Sequence, residues 1–198
     1  MQRLECRKQS TDLNAFLNEL AEKLKPMLKS SGWCFEFAPS KGRIRADIDR
    51  ALIERALYNL ISNSLHFTPK GGTITLQLSR NETQAILRLS DSGEGLSAET
   101  LAGLMEKTEE PVNTDPRNGL GVGLQMVREI ARLHGGSMML STNPDAEGTS
   151  VSFSVSLERS TIVFRSHNLN YDYCGGFDHA LVEFADVLGT EYFDPREV

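Results

Sequence analysis

Three groups of residues in this chain have types and spacings suited to holding a phosphorylated ligand. In RALYNLISNSLHF, Asn59, Asn63 and His66 recur at i, i+4 and i+7 and share one helix face, with Arg55 one turn earlier. Asparagine is a mediocre helix former, so two of them one turn apart need a reason beyond propensity. A carboxamide oxygen is a hard ligand of the kind Mg²⁺ takes beside phosphates; a solvated polar face is the plain alternative. Asp91 ends the run ILRLSD, where Leu87 and Leu89 share its parity, so its carboxylate is expected to point inward. There it either turns the chain before Gly93 or accepts from an exocyclic amino group. Adenine offers that donor, whereas guanine offers a carbonyl oxygen that a carboxylate repels. Thr149, inward by parity on a later strand, adds a second polar contact.

The third group is Gly119, Gly121 and Gly123, alternating directly before an amphipathic helix. Backbone without side chains lets a phosphate approach, and a helix N-terminus adds free N–H groups and the positive end of its dipole. A flexible hinge is the other reading. Two common nucleotide motifs are excluded, because the spacing is not Gly-x-Gly-x-x-Gly and no Gly-Lys-Ser/Thr ending exists.

Periodicity supplies the elements that must position these groups. TDLNAFLNELAEKLKPMLKS reads as a helix with Thr11 as N-cap, an apolar stripe of Leu13, Phe16, Leu17, Leu20 and Leu24, and a last turn kinked or loosened at Pro26. WCFEFAP and GRIRADI read as short strands around the turn SKG. A long helix follows, with Ile53, Leu57, Leu60 and Ile61 inward, closed by Pro69 and Gly71-Gly72. TITLQLS and ILRLSD alternate as strands with one wet face. A short helix is expected over 98–104 and a polar loop over 106–118. The helix LQMVREIARL then places Met126, Ile130 and Leu133 inward and ends at Gly135-Gly136. SMMLST and TSVSFSVSLE are the last strands, the second with Val151, Phe153, Val155 and Leu157 inward. Helices and mostly antiparallel strands in this order predict an α+β fold: a two-layer sandwich, with helices on one face of a mixed sheet.

Composition narrows the function classes. Twenty-one basic against 27 acidic residues give a formal net charge of −6, with no basic cluster to suit nucleic acid. Three scattered cysteines form no Cys-x-x-Cys pair, which argues against zinc or a disulfide framework and for a reducing cytoplasm. No apolar run is long enough to cross a bilayer, so no direct membrane contact is expected of these 198 residues.

The order of the motifs resembles the catalytic ATP-binding domain of bacterial sensor histidine kinases. NLISNSLHFTPKGG is similar to that family's N box, DSGEG to its first glycine box, GLGVGL to its second, and EGTS to the closing Gly-Thr. The likeness covers roughly residues 10–158. It implies the ATP-binding sandwich shared with DNA gyrase, heat-shock chaperone and mismatch-repair ATPases. It further implies ATP and Mg²⁺ as cofactors, with Asn63 on Mg²⁺ and Asn59 supporting it. Asp91 would take the adenine amino group, with Thr149 assisting through water. Gly93 and Gly95 would shape the adenine pocket, and Gly119, Gly121, Gly123 and Leu124 would line the phosphates beneath a lid at about 105–120.

One position separates the hydrolysing relatives chemically. They carry Glu one turn before the Mg²⁺-binding Asn, where this chain has Asn59, and an amide cannot act as a general base. The resemblance therefore implies a site that holds ATP for an external nucleophile, a histidine imidazole, and catalyses by positioning and charge neutralisation.

Three departures stand beside the likeness. His66 replaces the family's usual Lys near the terminal phosphates, giving a charge that depends on pH. The lid has no recognisable phenylalanine box, although Arg117 offers a cation there. A phosphoacceptor motif is missing, since the four histidines are His66, His134, His167 and His179. The expected organisation is accordingly residues 1–10 as a remnant of the dimerisation and phosphoacceptor hairpin, 11–158 as the ATP-binding domain, and 159–198 as an extension. That extension holds a candidate edge strand, TIVFRS, and an amphipathic helix with Phe177, Leu181, Phe184 and Leu188 on one face. It packs on its own domain or docks a partner. Implied partners are the parent kinase's phosphoacceptor helices and a downstream response regulator, within a membrane-anchored parent. A degenerate, non-catalytic nucleotide-binding or interaction module is the alternative.

Overall fold

Asp12 starts the first helix, α1 (Leu13–Ser30), by turning its carboxylate onto the Ala15 N–H at 3.3 Å. The N-cap is therefore Asp12 and not Thr11, whose hydroxyl donates to the Gln9 carbonyl at 3.0 Å. The cause is a short strand, β1 (Gln9–Asp12), that pairs antiparallel with β3 (Arg45–Ile48) and keeps the backbone extended through Asp12. Pro26 does not stop α1, which continues to Ser30. Proline removes one helical hydrogen bond, and the buried stripe from Leu13 to Leu28 holds the helix across that gap. This description comes from a computed structural model and covers residues 6–97, 99, 100, 103, 120–142, 148–158 and 184.

A five-stranded sheet runs in the order β2 (Cys34–Ala38), β4 (Thr73–Arg80), β5 (Gln84–Asp91), β7 (Thr149–Ser156), β6 (Met138–Thr142). Among the described strands, only β2 and β4 pair in parallel. The turn SKG consequently joins no hairpin: β2 goes to the large sheet, while β3 goes to the two-stranded ribbon with β1. Alternation identifies a strand but does not name its partner.

The register places one apolar row across the sheet, Phe37–Leu76–Leu89–Val151–Leu140. The row beside it contains Phe35, Ile74 and Asp91, so Asp91 stands on the covered face as its parity requires. Covering that face are α1, packed on β2, then α2 (Arg50–Phe67) and α3 (Leu120–Leu133), packed on each other and on the strands beneath. Ile53, Leu57, Leu60 and Ile61 of α2 are buried, as are Met126, Ile130 and Leu133 of α3. The architecture is the expected α+β sandwich.

Two glycines of the alternating set lie inside α3 instead of leading into it, because the helix begins at Leu120. The helix stops at Leu133, and the chain turns away through Gly135, with φ +72°, and Gly136, where an added Cβ would stand 1.8 Å from the Ser154 carbonyl oxygen. Of the expected helix at 98–104, residues 99, 100 and 103 are described and helical. The loop at 106–118 and the strand TIVFRS lie outside the described residues. From the C-terminal amphipathic segment only Phe184 is described; it is fully buried and meets Tyr58 of α2 edge-on, ring centroids 5.8 Å apart. At that residue the extension packs on its own domain.

Candidate functional site

Helix α2 presents Leu60, Asn63, Ser64 and Phe67 to a cleft, a set spaced i, i+3, i+4 and i+7. The opposite walls are Asp91 at the end of β5, Leu96 beyond it, Leu124 of α3, and Leu140, Thr149 and Val151 of β6 and β7. The cleft encloses about 400 Å³, counting the part open to solvent, and mixes apolar walls with a few polar groups, as small-molecule sites do.

Asp91 is the most constrained of those polar groups. Its Oδ1 accepts from the Gly93 and Thr149 backbone N–H groups at 3.1 and 3.2 Å, and its Oδ2 accepts from the Ser64 hydroxyl at 3.2 Å. Two carboxylate oxygens offer about four acceptor positions, so the described residues leave one of them open on this partly buried group. Three glycines make the arrangement possible. An added Cβ on Gly93 would stand 2.4 Å from the Phe67 carbonyl oxygen, and one on Gly148 would stand 1.9 Å from the Asp91 carbonyl oxygen. Gly95, with φ +77°, faces Gly148 across the same turn.

The polar face expected on α2 divides between two environments. Asn63 lines the cleft, and its amide nitrogen is buried with no hydrogen-bond partner among the described residues, so a ligand can set the carboxamide's orientation. Asn59 is buried behind it, 7% exposed; its amide nitrogen donates to the Arg55 carbonyl at 3.4 Å. The Asn59 oxygen faces Gly123 of α3, where an added Cβ would approach it to 2.5 Å. Gly123 thus lets α3 close onto α2. His66 is exposed, and its Nδ1 lies 2.8 Å from the Ser62 carbonyl oxygen. Leu124 reaches the cleft, while Gly121 is described only as part of α3's backbone. Arg117 and Gly119 lie outside the described residues. No group of three His, Cys, Asp or Glu among the described residues is placed to hold a metal. A cation here would rely on the Asn63 carboxamide and on ligand oxygens.

Sequence reasoning missed Ser64, Gly148 and Phe67. Ser64 and Phe67 were legible as an i, i+4, i+7 stripe starting at Leu60, adjacent to the asparagine face. Gly148 stood within the Gly-Thr motif, but its need for φ +120° and close approach to Asp91 depends on how β5 and β7 pair.

Residues 48–159, more than half of the chain, match the family model described as histidine kinase-, DNA gyrase B- and HSP90-like ATPase. The chain belongs to that family. Its sequence relatives include histidine kinase P4 of Formosa agariphila, 32% identical over 73% of this chain and 11% of that protein. Curated relatives are much longer; the chain spans between about a tenth and three tenths of their length. Among solved structures the fold matches full-length ShkA in complex with AMPPNP, with TM-score 0.61, 22% identity, and 75% of this chain on 30% of that one. It also matches histidine kinase ThkA in complex with response regulator protein TrrA, with TM-score 0.62, 22% identity, and 77% of this chain on 42% of that one. Membership in an ATPase family implies nucleotide binding. No helix among the described residues is long and apolar enough to cross a membrane.

Proposed function

We propose that this domain binds Mg²⁺–ATP in the cleft and donates the γ-phosphate to a histidine on a separate helical phosphoacceptor domain, from which a response regulator receives it. The observation that carries the reading is Asp91, held by Ser64, Gly93 and Thr149 on the covered face, with one acceptor position left for an amino hydrogen. That is a complement to adenine's N6 amino group and a repulsion for guanine's O6. Leu60, Leu124, Leu140 and Val151 provide the apolar walls a purine ring needs.

The Asn63 carboxamide, whose nitrogen has no partner among the described residues, is free to turn its oxygen toward a Mg²⁺-bound triphosphate, with Asn59 supporting it from behind. The ion, when bound, neutralises phosphate charge. Among this chain's own residues, the start of α3 offers N–H groups to phosphate oxygens, and Gly123 keeps that helix against α2. Because Asn59 and Asn63 are amides, neither activates water, and the attacking group comes from the partner histidine. His66, exposed on α2 one turn beyond Asn63, is the candidate side chain to reach the terminal phosphates. Bound AMPPNP in ShkA and the response regulator bound to ThkA, both proteins of the same fold, support the ligand and partner class.

Calorimetric titration with a non-hydrolysable ATP analogue, with and without Mg²⁺, tests the binding half on this chain and on Asp91→Asn. Saturable Mg²⁺-dependent binding, lost in the variant and not shared by the GTP analogue, is expected. Transfer of labelled phosphate from ATP to a supplied phosphoacceptor hairpin tests the second half. Tight binding without transfer would leave a nucleotide-binding module with no kinase activity.

A further inference from the structure

His134 follows the last turn of α3, only 1% exposed, with both ring nitrogens engaged. Its Nδ1 lies 2.7 Å from the Ile130 carbonyl oxygen, which can only accept, so Nδ1 carries the proton. Its Nε2 lies 3.0 Å from the Asp49 backbone nitrogen, which can only donate, so Nε2 presents a lone pair. The Cys6 thiol, 3.9 Å away, is a second donor toward the same nitrogen. One neutral tautomer satisfies these contacts. A proton on Nε2 would face the Asp49 N–H directly, and the contact would have to open.

Asp49 has two further tasks. Its Oδ1 accepts from the Leu52 N–H at 3.2 Å as the N-cap of α2, and its Oδ2 accepts from the Arg7 N–H at 2.8 Å. One residue thus begins the helix bearing Asn59, Asn63 and Ser64 and also anchors the segment that leads into β1. The imidazole ties that residue to the end of α3. The two helices touch again where Gly123 meets Asn59. Gly123 to His134 is about 16 Å of helix and Asp49 to Asn59 about 15 Å, so α2 and α3 run antiparallel and are pinned at two matching points.

We propose that His134 is a positioning residue for the nucleotide cleft: its neutral imidazole fixes α3 on α2, and protonation releases that placement together with the segment at Arg7. The clasp stands on its own hydrogen bonds, and only its effect on ligand affinity rests on the nucleotide-binding reading above. Among the described residues, the charged and titratable groups facing the ring are Lys8 and Cys6 from the segment before β1 and Asp49 at the head of α2. Burial lowers the His134 pKa below the ordinary imidazole value; the Ile130 carbonyl opposes this, Lys8 adds to it and Asp49 opposes it. Burial likewise pushes the Cys6 thiol up to about 11, so it stays protonated throughout. The neutral ring therefore prevails at neutral pH, and acidification is what opens the clasp.

The test follows the wild-type protein and His134→Gln from about pH 7.5 to about pH 4.5, a window spanning the ordinary histidine range. Glutamine keeps a carbonyl oxygen for the Asp49 N–H and cannot titrate. Ring-nitrogen shifts report the tautomer, hydrogen exchange reports the Asp49 and Leu52 amides, and calorimetry with the ATP analogue reports affinity. Ionisations that both proteins share, in the rest of the chain and on the nucleotide, cancel in the wild-type-to-variant ratio. That ratio is expected to fall about fivefold on acidification, the worth of one net hydrogen bond. Faster exchange at Asp49 and Leu52 in the wild type should accompany it. A constant ratio with unchanged exchange, or a protonated Nε2 at neutral pH, overturns the proposal. If His134→Gln does not fold, the wild-type ring-nitrogen and exchange data decide alone. Absence of nucleotide binding at every pH would refute the cleft reading, and the same two observables would still decide whether the clasp exists.

Discussion

Replacing Gly123 with alanine tests the contact between α2 and α3 most directly. Two effects oppose each other. Alanine favours a helix over glycine by about 1 kcal/mol, and Gly123 lies inside α3 without a positive φ. Against this, the new Cβ would stand 2.5 Å from Asn59 Oδ1, a separation that forces a shift of at least about 0.5 Å, and such overpacking costs about 1–3 kcal/mol. Asn59 cannot simply swing away, because it is buried and its amide nitrogen bonds the Arg55 carbonyl. Gly103→Ala is the matched control: it is helical, with nothing within 4 Å of an added Cβ. It should gain the helical preference without the clash.

The expected difference between the two variants is therefore about 1–3 kcal/mol. For a chain of this size that is about 4–8 °C in Tm at the middle of the range. Thermal and denaturant unfolding of both variants measure it, and a double-mutant cycle assigns it. In an Asn59→Ala background the clash partner is gone, so Gly123→Ala should lose most of its penalty. Equal stabilisation by the two glycine replacements would refute the reasoning. So would a penalty that persists undiminished in the Asn59→Ala background.

Ser64→Ala removes one of the three hydrogen bonds holding Asp91, at a carboxylate that water still reaches. Affinity for the ATP analogue should drop about fivefold with little change in stability, and unchanged affinity in the titration would count against Ser64 as Asp91's support. Trp33→Phe deletes the indole N–H that meets the Thr68 carbonyl at 2.9 Å just past the end of α2, leaving a buried acceptor without its donor. A loss of about 1–3 kcal/mol in urea unfolding is expected. His134 has a lowered pKa in the fold, so the unfolded chain binds more protons as pH falls through the ordinary value near 6.5. Unfolding free energy should therefore decline from about that pH downward until the folded-state value is passed. His134→Gln should show a shallower decline across the same window.

The chemical character of this protein was local enough to read from its residues. Alternation in β4, with Ile74, Leu76 and Leu78 inward, predicted the sheet's covered face, and the parity of Asp91 after Leu87 and Leu89 placed its carboxylate there. The order of asparagines, Asp91, alternating glycines and Gly-Thr indicated the family, because each motif is a few residues long and carries its own chemistry. Helical periodicity likewise predicted the buried sides of α2 and α3.

What the sequence could not decide involved residues far apart in the chain. The N-cap of α1 moved to Asp12 because β1 pairs with β3. The strands β2 and β3 went to different sheets because the parallel pairing with β4 claims β2. Gly123 proved to be a contact with Asn59, and Gly148 a close approach to Asp91, which only the packed helices and paired strands disclose. His134, in the sequence only the residue before the helix-ending Gly135-Gly136, became the tie between Asp49, Ile130 and Cys6. Patterns of period two and 3.6 state which face is buried; they do not state what lies against it. That second fact depends on chain segments dozens of residues away, and for this protein it was decided by tertiary packing alone.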